Sequence, residues 1–300
     1  AATTERASPA STRLKPSRTA TGPGRPHARC SPRSLRGRTA TELRRGVRAD
    51  GVAPGMLFAT PLLNDVVATA AAAIGAGLWV RIFDELAKRD VLDQKLSRKI
   101  VHITAGPLFL LSWPLFSGAE HARYLAAVVP LLNMFRLLLI GTGIVKDEAA
   151  VKAISRENNP RELLRGPLVY VLVLMSMSIL FWRSSSVGLA VVAMMCGGDG
   201  FADICGRRFG SNNKLPFNRN KSFAGSAAMF VGGASLALAL WAAFMWGGFL
   251  ASPDGPGHML KVAAITAATS TVVEALPMNH VIDDNLSVPV VAAIACLLAW

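Results

Sequence analysis

Asp199, Asp203 and Arg207 recur every four residues and form the densest group of chemistry-bearing side chains in the sequence. On a helix that spacing sets two carboxylates and a guanidinium along one face. Two carboxylates one turn apart can share a hard divalent cation such as Mg²⁺, and an arginine can hold a phosphate bidentately. The same trio also suits a buried ion-pair network that joins two helices. Gly198 and Gly200 flank Asp199 and either let a ligand approach the backbone or let a second helix pack closely. The connection that follows carries Arg208, Lys214, Arg219, Asn220, Lys221 and Ser222. Such a segment can surround phosphates with cations and with the free amides of the next helix N-terminus. Its plainer reading is solvated charge beside a membrane. It matches neither a Walker A loop nor a dinucleotide fingerprint.

These types together suit phosphoryl transfer. One or two Mg²⁺ ions would bridge nucleotide phosphates and the Asp199 and Asp203 carboxylates, with Arg207, Arg208 and Lys221 offsetting charge on the moving group. A hydroxyl acceptor must lose its proton to a carboxylate or an aligned water, and Asp203 and Asp283 are equal candidates for that role. Four further polar residues are candidates by position. Arg136 and Glu274 fall inside apolar runs, where a charge is costly unless paired or functional. Asp284 adjoins Asp283, and His102 stands where a basic connection enters an apolar run, ready either to bond a phosphate or carboxylate or to sit as a satisfied interfacial residue. Cys30, Cys196, Cys205 and Cys296 lack the paired spacing of a zinc site.

The elements that must hold these groups are membrane helices. The 300 residues are 52% hydrophobic and only 17% charged, with a mean hydropathy of +0.39, a balance that argues against a soluble enzyme. Apolar runs near the roughly 20 residues of a bilayer crossing are predicted at 59–80, 100–117, 122–142, 166–182, 187–205, 223–247, 262–278 and 286–300. Several are short, so the expected fold is an all-α polytopic bundle of six to eight spans. Three alternate connections hold sixteen Lys and Arg, whereas the opposite side holds only Arg123, Arg183 and Lys261. That sidedness is the positive-inside pattern, and it brings Asp283 and Asp284 to the basic face.

The net charge of +13 would suggest nucleic acid if it were spread over one surface. Residues 1–55 instead carry twelve basic against three acidic side chains, a net +9, together with twelve Ser and Thr. Such a stretch cannot bury enough apolar surface to fold. Its Arg and Ser richness without an apolar core reads as a transit peptide, chloroplast rather than mitochondrial because Ser, Thr and Pro dominate. Residues 56–300 form the membrane domain, and the expected partner is the lipid bilayer, not nucleic acid.

Four segments carry a further likeness. LSRKIVHITAGPLFLLSWPLFS at 96–117, RELLRGPLVY at 161–170, MCGGDGFADICGRRFGSNNKLPFNRNKSFAGS at 195–226 and VVEALPMNHVIDDNLSVP at 272–289 resemble the phytol and farnesol kinase group of the polyprenol kinase family. The resemblance covers residues 57–300. It implies a multi-pass chloroplast membrane enzyme that phosphorylates an isoprenoid alcohol, with CTP as donor and phytyl phosphate for tocopherol synthesis as product. The family blocks fall on Asp199, Asp203, Arg207, Lys214, Asn220, Lys221, Ser222, Glu274, Asp283, Asp284 and Asn285, which the resemblance assigns collectively to nucleotide and metal. A farnesol or geranylgeraniol kinase, a lipid cytidylyltransferase and a membrane transporter are the competing readings.

Overall fold

A computed structural model describes residues 58–300 apart from 59, 90, 156, 252–253 and 278–282. The expected transit peptide at 1–55 lies outside the described residues. Among these residues every regular element is helical, and the only bridge between extended segments joins Lys214 to Ser222. The helices are α1 (Pro61–Lys88), α2 (Gln94–Leu111), α3 (Ala122–Gly141), α4 (Glu148–Ile154), α5 (Gly166–Leu180), α6 (Ser186–Ala193), α7 (Asp199–Phe209), α8 (Phe223–Trp246), α9 (Pro256–Ala275) and α10 (Asp284–Ala299). Helix starts follow local chemistry. Asp93, Asp147, Ser185, Ser222 and Asp283 each turn a side-chain oxygen onto an otherwise unpaired N–H of the helix they precede.

Each expected span falls on a helix. Five stretches are long and apolar enough to cross a membrane, 61–83, 122–141, 160–180, 186–209 and 223–246. Helices α2, α9 and α10 are shorter or more polar. α1 lies at the periphery, with Leu62, Val66, Ile74, Leu78 and Ile82 turned outward. In lipid such a face needs no further cover.

The stretch 186–209 is the axis of the bundle. α6 runs into a wide π-helical turn at Met194–Gly198 and then directly into α7. Residues 187–198 are buried throughout, enclosed by α2, α8 and α10. Lipid tails supply little driving force for helix association, so close backbone packing carries it. A Cβ on Gly197 would stand 3.0 Å from the Gly232 carbonyl oxygen and 2.8 Å from the Leu236 side chain. α8 therefore crosses the axis at a pair of glycines.

The two ends of this bundle differ. At one, Trp113, Phe116, Trp182 and Phe244 form an aromatic cluster. Beside it Arg183 donates to the carbonyls of Phe116 at 2.6 Å and Ser117 at 2.8 Å, and buried Asp65 accepts from the Ser117 amide and hydroxyl. At the other end the start of α2, one face of α7, the start of α8, the end of α9 and the start of α10 come together around a cleft.

Candidate active site

The first wall of the cleft is built on α7 and α2. Asp199 and Asp203 lie one turn apart, as their spacing requires. Asp199 Oδ2 accepts from Lys99 Nζ at 2.8 Å and lies 3.3 Å from His102 Nε2, while Asp203 Oδ2 pairs with Arg207 and lies 3.7 Å from Lys99. Lys99 and His102 are themselves three residues apart on α2, on one helix face. His102 Nε2 also lies 3.2 Å from the Met195 carbonyl oxygen. Both neighbours are acceptors, so Nε2 carries the hydrogen. Met195 belongs to the π-helical turn, where the widened pitch changes backbone pairing. Tyr170 of α5 completes this layer, its ring 4.7 Å from the His102 ring and its hydroxyl donating to the His102 carbonyl at 3.1 Å.

The second wall comes from the 210–222 connection, α9 and α10. Lys221 Nζ bonds Glu274 and, at 2.9 Å, Asp284 Oδ2. Burial alone would pull the Lys221 ammonium down, but Glu274 and then Asp284 outweigh it and raise its pKa above the usual lysine value. The connection is fastened from within. Asn218, 7% exposed, donates to the carbonyls of Ala275 at 3.0 Å and Leu276 at 3.3 Å, and its Oδ1 accepts from the Asn220 amide. It thereby satisfies the exposed carbonyl end of α9 and sets Lys221 beside Glu274.

The walls enclose about 650 Å³, within the range of small-ligand sites. Lys214, Asn220 and Ser222 also line this space. Nine of the sixteen sequence-predicted residues thus meet at one cleft, the others being Asp199, Asp203, Arg207, Lys221, Glu274 and Asp284. His102 supports it from beneath Asp199.

The remaining six lie elsewhere. Asp283 caps α10, accepting from the Asn285 amide and Nδ2, both at 2.8 Å. Asn285 in turn packs toward Gly166. Arg208 stands over the Phe209 ring. Arg136 is 52% exposed and pairs with Asp147 at 3.2 Å. The Ala150 amide, against slight burial, and then Arg136 hold the Asp147 carboxyl below its usual range. Gly198 faces Met229 and Gly200 faces Ile103, so both are packing positions. Sequence reasoning missed Lys99, Asn218, Ser211 and Ser226. Lys99 had a signal, one turn before His102 in a basic run; Asn218 had none beyond its place in the LPFNRNKS segment.

Asp199 and Asp203 satisfy the minimum for Mg²⁺, which is commonly held by one or two carboxylates plus substrate phosphates and water. Among the described residues no group of three or more His, Cys, Asp or Glu side chains is disposed as a metal cage. All the contacts given above use Oδ2 of each aspartate, which leaves Oδ1 for a cation. The donor set therefore fits a cation that arrives with a nucleotide.

Fold and site define a polytopic helical membrane protein with a polar cleft suited to a phosphate-bearing ligand at one end. No family model matches the chain, and no solved structure does. Several plant proteins do. It is 48% identical over 243 residues to a Triticum aestivum protein named "Probable phytol kinase, chloroplastic", covering 81% of this chain and 80% of that one. It is 50% identical over 244 residues to "Probable phytol kinase 1, chloroplastic" of Oryza sativa subsp. japonica, covering 81% and 76%. It is 46% identical over 244 residues to "Phytol kinase 1, chloroplastic" of Arabidopsis thaliana, covering 80% and 78%. The chain belongs to the phytol kinase family of chloroplast enzymes.

Proposed function

We propose that the protein is a CTP-dependent phytol kinase of a chloroplast membrane, forming phytyl phosphate for tocopherol synthesis. The observation that carries this reading is the cleft itself, where Asp199 and Asp203 face Lys221 at the polar end of a lipid-embedded bundle. Mg²⁺ held by Asp199 and Asp203 would supply charge neutralisation across the nucleotide phosphates. Arg207 and Lys214 bind the outer phosphate oxygens, and Lys221 offsets charge on the transferring group. Lys99 and His102 keep the Asp199 carboxylate oriented. The isoprenoid chain stays in lipid, so only its hydroxyl needs to reach the cleft.

The test is transfer of label from γ-labelled CTP to phytol, farnesol and geranylgeraniol at equal concentration, with ATP, GTP and UTP as competitors. Labelled phytyl phosphate with release of CDP is expected. Preference for farnesol or geranylgeraniol would replace the acceptor in this reading. Pyrophosphate release with a CMP-linked lipid would replace the reaction by a cytidylyl transfer, and alcohol movement across sealed vesicles without phosphorylation would replace it by transport.

A further inference from the structure

We infer that Glu274 is the general base of the reaction, taking the hydroxyl proton of the acceptor alcohol from the wall opposite the Asp199–Asp203 pair. This rests on the kinase reading above and goes beyond it by assigning the proton. The cleft holds four carboxylates, from Asp199, Asp203, Glu274 and Asp284. Asp199 and Asp203 share one face of α7 with the Arg207 cation, and both lie within ion-pair reach of Lys99 on α2. A carboxylate engaged by a metal or a guanidinium is a weak proton acceptor. Asp283 spends its side chain on capping α10.

Helix ends separate the remaining two. Asp284 is the first residue of α10, at the positive end of that helix, with a side chain 22% exposed. Glu274 lies in the last turn of α9, at the negative end of its helix. It is also the most enclosed of the four, 5% exposed as a residue. The charged groups facing it are Lys221 from the connection, Asp284 from α10 and Asp199 from α7. Lys221 is the natural ligand for an incoming phosphate. As its ammonium turns to the nucleotide, Glu274 loses its cation and becomes a better base, so donor binding and base activation are one event.

The step balances. The alcohol oxygen forms a bond to the γ-phosphorus as its proton passes to a Glu274 carboxylate oxygen. The bond from that phosphorus to the bridging oxygen breaks, and the nucleoside diphosphate leaves with the electron pair. Glu274 then returns the proton to water.

The experiment compares wild type, Glu274→Gln, Glu274→Asp and Asp284→Asn in nanodiscs, reading CTP binding, kcat and the pH profile of phytol phosphorylation. Glu274→Gln should lower kcat by about 100-fold or more, keep CTP binding within about threefold, and flatten the acidic limb of the profile. Glu274→Asp retains a carboxylate, so it should stay more active than Glu274→Gln and keep that limb. Asp284→Asn should keep it too. Persistence of the limb in Glu274→Gln overturns the assignment whatever the size of the loss. Should Glu274→Gln not fold, a Glu274→Asp profile superimposable on wild type at full kcat overturns it, and a displaced limb with reduced kcat supports it. A wild-type protein that phosphorylates none of the alcohols refutes the kinase reading itself, before any variant is assayed.

Discussion

Replacing Lys221 with methionine keeps the length of the side chain and removes its charge. The Glu274 carboxylate, with a side chain 6% exposed, then loses its ion-pair partner, while Asp284 is wetter at 22%. Removing one member of a buried pair costs about 3–5 kcal/mol. Water in the cleft reaches the Lys221 side chain, which is 17% exposed, so the low end, about 3 kcal/mol, is expected. For a membrane domain of this size that is a fall in Tm of roughly 6–12 °C. Lys221→Met combined with Glu274→Gln leaves no stranded charge at that pair and should recover more than half of the loss. Thermal unfolding of detergent-solubilised protein, followed by tryptophan fluorescence, measures both. The folded Lys221 pKa is raised, so its contribution is complete below the free lysine value of about 10.4 and is lost as pH rises through the folded value. The gap between wild type and Lys221→Met should therefore narrow only above about pH 10.4. A single variant within about 2 °C of wild type, or a double variant that melts no higher than the single, would refute the reasoning.

Asp199→Asn and Asp203→Asn should each cut Mg²⁺-dependent turnover by about 100-fold or more while membrane insertion is unchanged; near-normal turnover of either purified variant removes that residue from the site. Chelation of divalent cations should abolish wild-type turnover and added Mg²⁺ restore it, as label transfer would report. Gly200→Ala drives a methyl group into the Ile103 side chain and should cost about 1–3 kcal/mol, read as a lowered Tm; an unchanged melt would mean that α2 and α7 are free to separate there. Arg136→Ala should leave turnover within about twofold and stability within about 1 kcal/mol, because its pair with Asp147 is half-exposed and neither residue lines the cleft. A large loss of turnover would return Arg136 to the site.

Sequence patterning exposed the parts of the site that lie along one element. Asp199, Asp203 and Arg207 announce themselves because helical periodicity converts spacing into a shared face. The apolar runs announced the helices, though α2 and α9 are too polar by composition to meet the measure that the other long helices meet. Pairings across the chain were not legible. Lys221 meets Glu274 at a separation of 53 residues and Asp284 at 63, and no local pattern encodes either distance. Asp283 and Asp284 are chemically identical neighbours. Only the start of α10 between them decides that the first caps the helix and the second faces the cleft. Arg136 shows the reverse error, since an arginine in an apolar run invites a functional reading until Asp147, just past the end of α3, is seen to reach it.

The widened turn at Met194–Gly198 sets the phase of the central rod. A regular helix advances about 100° per residue, so one residue accommodated in that turn rotates everything after it by that angle relative to everything before. The upstream half, Ser186–Ala193, is buried along its whole length, and the downstream half presents Asp199 and Asp203 to the cleft. Loss of a single residue there would leave every side chain in place by type and turn both aspartates away from Lys99 and Lys221. The chemistry of this bundle depends as much on a count as on a composition.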